Sequence, residues 1–195
     1  MTVDGEDADP CTTEAGEPVE LEAEGATVAV DRGTVDDVDA VADLWVDLAD
    51  GQRAYGTHFE ATENRRAAAE SVASAASAGG LVVARVAEPK GGAPSTTDEI
   101  VGFVSFGLET GRYEQDVRRG VVYNLFVRDP YRDAGVGARL LDTAESTLAA
   151  SGAHVVALEA MAANRDARRF YEQQGYEPHR VELEKPIQGL GSDSD

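Results

Sequence analysis

Cysteine is almost missing from this 195-residue chain, because Cys11 is the only one and sits among Asp, Thr and Glu near the start. A single thiol can form neither an intrachain disulfide nor a thiolate metal cluster, and nothing around Cys11 suggests a nucleophile. Lysine is nearly as scarce: Lys90 and Lys185 are the only two among 17 basic residues. No stretch reaches the ~18 to 20 apolar residues of a membrane helix. Met1 to Pro10 is acidic rather than basic and apolar, so no secretory leader is expected either, and the reading is a cytoplasmic protein that does not enter a membrane. The triplet Gly-Lys-Ser/Thr of a phosphate-binding P-loop does not occur. Neither a metal-ligand cluster nor a nucleophile elbow can be found, so no metal is expected.

What is abundant is carboxylate: 37 acidic residues stand against 17 basic ones, a net charge of -20. A run of nucleic-acid phosphates would meet repulsion here, which removes nucleic acid from the expected partners. Such a chain repels itself at low salt, where charges act over ~10 Å, and is tolerated near molar salt, where the range falls to ~3 Å. A halophilic archaeal source is the favoured account. The sharper one is an acidic face for a cationic acceptor. The charge is also uneven. From Arg112 to Arg180 ten arginines balance ten acidic residues, whereas Met1 to Gly111 carries six basic and 23 acidic residues. The neutral segment is where an anionic ligand belongs.

Residues 1 to 25 hold nine carboxylates, no basic residue and only scattered Val and Leu, so a disordered acidic tail is expected there. Residues 187 to 195 read as a second tail, which leaves 26 to 186 as one domain. Thr27 to Val30 suits a first strand. Thr34 with Asp37 matches a helix start, after which Val38, Val41, Leu44, Trp45 and Leu48 fall on one face. Ala61 to Ala78 suits a second helix, stopped by Gly79 and Gly80. Leu81 to Val86 and Ile100 to Leu108 read as a hairpin around a Pro- and Gly-rich turn from Glu88 to Asp98. Val121 to Val127 is an uninterrupted strand. Gly135 to Ser151 carries Val136, Leu140, Leu141, Ala144 and Leu148 on one stripe, and a buried strand at His154 to Ala160 follows. A helix N-capped by Asn164 and a last strand around Val181 to Glu184 complete the chain. A helix between the strands at 121 and 154 implies that these two run parallel.

Between a strand and a helix lies Arg132, Asp133, Ala134, Gly135, Val136, Gly137, Ala138, Arg139. Glycines here let backbone N–H groups approach a ligand, and the start of a helix favours an anion such as a pyrophosphate. A turn that binds nothing explains an isolated match equally well. A dinucleotide fingerprint is excluded, because Leu140 stands where its third glycine belongs and Gly135 lies eight residues beyond Val127.

With Leu125, Phe126, Val127, Arg128, Asp129, Pro130 and Tyr131 in front of it, this run resembles the acyl-CoA motif of the GNAT superfamily, the GCN5-related N-acetyltransferases. Asn164, Ala167, Phe170, Tyr171, Glu172, Gly175 and Tyr176 are similar to that family's second signature, in the right order. The resemblance spans 26 to 186 and is strongest from Val121 to Tyr176.

The resemblance implies an α/β (α+β) fold: a mixed, mostly antiparallel sheet with a parallel central strand pair splayed open, flanked by about four helices. It implies acetyl-CoA as acyl donor and an amine as acceptor, with a homodimer allowed. Leu125, Phe126 and Val127 would run beside the pantetheine arm and residues 132 to 139 would cradle the pyrophosphate, with Arg132 and Arg139 either adding charge or simply solvated. Asn164 would approach the pantetheine or only cap its helix. A main-chain N–H near Val127 would meet the carbonyl oxygen, and Tyr171 would protonate the leaving thiolate unless it is only a core aromatic. Many relatives place a glutamate where this chain has Asn124, which can orient a water but cannot accept a proton. Glu159 is the best remaining base; His58 and Glu109 are weaker. The acceptor pocket is expected around Tyr55, His58, Phe59, Arg112 and Tyr113. A non-catalytic acyl-CoA-binding module and transfer of a longer acyl group are the alternatives.

Overall fold

The computed structural model describes residues 19–23, 26–89, 99–111 and 115–187. The outer parts of both expected tails, most of the turn at 88–98, and Arg112 and Tyr113 lie outside the described residues.

Alternating apolar residues build one sheet whose strands lie side by side in chain order: β1 (Val19–Ala23), β2 (Ala26–Arg32), β3 (Leu81–Pro89), β4 (Ile100–Leu108), β5 (Arg119–Val127) and β6 (Val155–Leu158). Neighbours are antiparallel up to β5, and β5 pairs with β6 in parallel, as the intervening helix demands. Four α-helices are found among the described residues: α1 (Val38–Gln52), α2 (Arg65–Ser77), α3 (Val136–Ala150) and α4 (Arg165–Gln173).

The period of two along β3 sends successive side chains to opposite faces. Leu81 and Val83 join Val41 and Leu44 of α1 and Val72 and Ala76 of α2, whereas Val82 and Ala84 join Leu140, Leu141, Ala144 and Leu148 of α3. The α3 stripe is fully buried, and each of its leucines stabilises the fold by about 1.5–3 kcal/mol. The entry to α1 is fixed by a capping box in which Thr34 Oγ1 accepts from the Asp36 N–H and Asp37 Oδ2 accepts from the Thr34 N–H at 2.7 Å. Asp37 is itself buried and receives both ends of the Arg85 guanidinium, at 3.0 and 2.8 Å, which ties the helix start to β3.

Three expectations need correction. Val19–Ala23, assigned to the tail, is instead the edge strand β1, paired residue by residue with β2 and burying Ala23. Its alternation was hidden by glutamates, which an edge strand can point to solvent. The strand at 155–158 is shorter than expected and is the opposite edge, with Val155 exposed and the rest half-buried. Val181 to Glu184 forms no strand: the alternation is present, but among the described residues no other strand lies beside it to receive its hydrogen bonds. Among the described residues, no helix is long and apolar enough to cross a membrane.

Candidate functional site

Parallel pairing between β5 and β6 lasts four positions, from Arg119 opposite Val155 to Val122 opposite Leu158. Residues 123–127 of β5 then continue along β4 with no strand on their other side among the described residues. The departure coincides with a β-bulge: Ser105 of β4 pairs with Asn124 and Phe106 with Val122, leaving Tyr123 as the extra residue. A bulge bends and twists its strand, so β5 turns away from β6 at this point. On the far side Arg128 N–H donates to Val101 C=O at 2.8 Å. Antiparallel alternation therefore aims the main-chain groups of Phe126 and Asn124 at β4, and those of Leu125 and Val127 at the open side.

The opening is lined by Tyr123, Asn124 and Leu125 of β5, by Leu158 and Glu159 at the end of β6, by Leu48 and Gln52 at the end of α1, and by Tyr171 of α4. The three residues singled out for chemistry, Asn124, Glu159 and Tyr171, thus face one space. Asn124 donates through Nδ2 to Ser105 Oγ at 2.9 Å, which holds its amide in place. Ser105 is 3% exposed and, with Asp37, makes up the buried polar residues among those described. Tyr171 packs edge-on against Phe170 and Tyr176, with ring centroids 5.2 and 5.9 Å away. Burial pushes its phenol up to about 12, so the hydroxyl is held protonated and acts as a donor. Tyr176 donates to Glu145 Oε1 on α3 at 2.7 Å and is likewise shifted up, first by burial and then by that bond, which anchors the end of α4.

Beyond β5 the chain turns into α3. Arg132 does not reach outward: its Nε donates to Val127 C=O at 2.8 Å, its guanidinium pairs with Asp129 at 2.6 Å, and it lies 5.7 Å from the centre of the Phe126 ring. It braces the turn. Asp133 and Gly135 both have left-handed backbones, at φ 60° and 85°. A side chain on Gly135 would meet nothing within 4 Å, so glycine is present for its conformation, and the space above it is open. The first backbone bond of α3 runs from Arg139 N–H to Gly135 C=O, which leaves the N–H groups of Val136, Gly137 and Ala138 without helical partners. The Val136 side chain is buried in the core, and Ala134 packs on the same cluster, so both offer only backbone to a ligand. Arg139 pairs with Asp142 at 2.9 Å, while its Nε is buried without a partner.

Other expected residues lie elsewhere. Asn164 Oδ1 accepts from the Ala167 N–H at 3.0 Å, which accounts for it as a helix cap. Glu109 is tied to Arg119 at 3.1 Å and to Gln115, at the closed end of the β5–β6 pair. Tyr55, His58 and Phe59 do not line the opening: Phe59 packs edge-on to Trp45, and His58 contacts Glu184 at 3.2 Å. Sequence reasoning missed Ser105, Gln52 and the bulge at Tyr123. Ser105 was the findable one, as the lone hydroxyl in the apolar run of β4. Among the described residues, no group of three or more His, Cys, Asp or Glu could hold a metal ion.

A strand edge left open beside a glycine turn and a helix N-terminus offers unpaired main-chain groups along a line that ends at free N–H groups, a surface of the kind that suits an extended, anionic ligand. Comparison with known proteins narrows the class. The family model described as Acetyltransferase (GNAT) family matches residues 45–176, and the chain belongs to that family of acetyl-CoA-dependent acyltransferases. Solved structures share the fold. A GCN5-related N-acetyltransferase from Ralstonia eutropha JMP134 superposes with a TM-score of 0.61 at 21% identity, covering 83% of this chain and 99% of the other. A transcriptional regulator from Bacillus halodurans C-125 gives 0.59 at 20% identity, over 82% and 99%. A Trypanosoma brucei acetyltransferase gives 0.55 at 18% identity, over 82% and 99%. A search of curated proteins returns no match.

Proposed function

We propose that this protein transfers the acetyl group of acetyl-CoA directly to a primary amine, with both substrates bound together. The observation that carries the reading is the convergence of Asn124, Glu159 and Tyr171 on the space where β5 and β6 separate. The chain fits the donor: the main-chain groups of Leu125 and Val127 would pair with the pantetheine arm, and the N–H groups of Val136, Gly137 and Ala138 would receive the pyrophosphate. Bound there, acetyl-CoA supplies an acyl carbon activated by a thiol leaving group.

The remaining work falls to the protein. Glu159 takes the proton of the acceptor ammonium, directly or through a water held by the Asn124 amide, and so frees the nitrogen lone pair. A main-chain N–H on the open side of β5, near Val127, would steady the negative charge that develops on the carbonyl oxygen as the C–N bond forms. Tyr171 gives its proton to sulfur as the C–S bond breaks, and the acylated nitrogen sheds its surplus proton to restore the phenol as it becomes an amide. Among the described residues no serine or cysteine lines the opening, which favours direct attack over a covalent acyl-enzyme. Among the described residues Glu159 is the one charged residue of the lining, which suits a cationic acceptor.

One observation favours a second reading: Asn124, fixed by Ser105, cannot accept a proton as a carboxylate would. Release of free coenzyme A from acetyl-CoA across a panel of amines, in molar salt, decides between the two. Amine-dependent release supports transfer. Micromolar binding of acetyl-CoA with no release for any amine points to a non-catalytic acyl-CoA-binding module. Faster release from longer acyl-CoAs would change the assigned donor.

A further inference from the structure

Eight large hydrophobic side chains are exposed among the described residues, and of these Tyr123 alone lines the opening between β5 and β6. At 57% exposure it adds little to the core, and its hydroxyl has no protein partner among the described residues. Neither packing nor an internal bond accounts for an aromatic ring at this point.

The bulge explains how the ring comes to stand there. Ser105 and Gly107 share the face of β4 on which Phe103 joins the core of α1 and α2. Asn124 is bonded to Ser105, and the Tyr123 ring reaches over Gly107: a side-chain carbon on that glycine would sit 3.1 Å from the Tyr123 hydroxyl oxygen and 3.4 Å from Cε2. Two consecutive residues of β5 thus stand on one face, which regular alternation forbids and an extra residue permits. Val122 and Leu125, on either side of them, pack towards α3. With no side chain at Gly107, the phenol end rests against the β4 backbone, and more than half of Tyr123 stays open.

The surroundings favour a cation. Leu48 and Gln52 bring to the opening the C-terminal end of α1, the negative end of its dipole. α1 holds Asp39, Asp43, Asp47 and Asp50 and no basic residue, and Asp47 and Asp50 pair with no cation among the described residues. Carboxylates attract any cation, including those of a salt. An exposed aromatic face instead favours an organic ammonium, whose charge is loosely hydrated and whose carbons also gain from the contact.

We propose that Tyr123 selects the acceptor: its ring receives the ammonium and first methylenes of a primary alkylamine, protonated in solution, within reach of the opening that Glu159 also lines. An arylamine, neutral at the same pH, gains no cation–π contact and is passed over. This deepens the transfer reading and rests on it, since it takes the opening as the acceptor's site.

Occupancy is measured apart from chemistry. The full chain, carrying isotope-labelled tyrosine and saturated with coenzyme A in molar salt near neutral pH, is titrated with butylamine and separately with aniline. Tyrosine ring resonances are followed by NMR, those of Tyr123 being the ones absent from Tyr123→Leu. Coenzyme A release from acetyl-CoA is measured with the same two amines. Butylamine should move the Tyr123 signals and aniline should not. Tyr123→Leu should weaken butylamine binding and raise its KM about tenfold, with acetyl-CoA affinity unchanged and kcat held within about threefold, whereas Tyr123→Phe should stay within about twofold of the parent. Gly107→Val places a side chain where the ring lies and should weaken butylamine with Tyr123 intact. Shifts at Tyr123 without release of coenzyme A would sink transfer yet support the ring as the seat of the amine, so the two readings fail separately. Tyr123 signals that butylamine leaves in place overturn the proposal, whether or not coenzyme A is released. So does a Tyr123→Leu chain that holds butylamine as tightly as the parent.

Discussion

Replacing Tyr171 with phenylalanine removes one oxygen and keeps the ring that packs against Phe170 and Tyr176. No protein partner for the hydroxyl is found among the described residues, so the change breaks no internal bond. Stability should move by no more than about 0.5 kcal/mol, or about 1–2 °C in Tm for a chain of this size. The rate should respond differently. With its phenol pushed up to about 12 by burial, Tyr171 is fully protonated at neutral pH and can give a proton to departing sulfur. Losing that donor should lower kcat by about 10²-fold, the low end for general-acid catalysis and equal to about 2.7 kcal/mol in the barrier. Acetyl-CoA affinity should hardly change, since the thioester in its ground state carries little charge on sulfur. The assay is single-turnover release of coenzyme A at saturating amine, with calorimetric binding of acetyl-CoA alongside. A variant with parental single-turnover rate removes Tyr171 from the mechanism and leaves water as the acid. A variant that binds acetyl-CoA tenfold more weakly makes the hydroxyl a binding group instead.

Gly135→Glu should abolish acetyl-CoA binding, because it forces a side chain onto a left-handed backbone and a negative charge into the space above the α3 N-terminus; unchanged affinity by calorimetry would reduce the glycine to a turn residue. Asp37 titrates below the usual carboxylate range: burial works to raise it, but the bonds from Arg85 and Thr34 outweigh burial. A depressed value in the folded state stabilises above the ordinary carboxylate pKa and is lost as pH falls through the folded one, so urea-unfolding stability should drop below about pH 4. Asp37→Asn should flatten that acid limb and cost about 3 kcal/mol at neutral pH, the low end for stripping one partner from a buried pair, since Asp31 stays 3.2 Å from Arg85; parallel pH curves for the two proteins would contradict this. The net charge of -20 should make Tm climb steeply from 0.1 to 3 M NaCl, and a flat profile would remove self-repulsion as a factor. Deleting residues 1–25 should lower Tm by several degrees, because β1 and its buried Ala23 go with them; an unaltered melt would show that β1 adds nothing.

Local signals carried most of the fold and part of the site. The spacing of Val38, Val41 and Leu44, the caps at Thr34 and Asn164, and Gly135 at a helix start each express a preference that acts within one turn of chain. Pairing across the sheet does not announce itself in this way. The bond from Asn124 to Ser105 spans 19 positions, and nothing in the letters around Tyr123 says that it is the residue left out of register. The alternation at Val19–Ala23 and that at residues 181–184 look alike on paper, yet one found a neighbour and the other did not. A strand is a relation between two segments, and sequence describes one at a time. Arg132 shows the same limit at the level of a single side chain, since its letter allowed a ligand cation or a solvated arginine, and neither reading contained the bonds to Val127 C=O and Asp129 that brace the turn.

The extra residue in β5 has a consequence for how this chain is compared with its relatives. Because Tyr123 is skipped, Asn124 holds its place opposite Ser105 only by virtue of one additional position in the strand. In a relative whose strand lacks that position, the group presented to the same opening is one letter nearer the strand's start. The residue written beneath Asn124 in a gap-free alignment anchored at the start of the strand is then not the one that stands in its place. Matching must follow hydrogen-bond partners across β4, with Ser105 as the fixed point, before any exchange of asparagine for glutamate is taken as a change of chemistry.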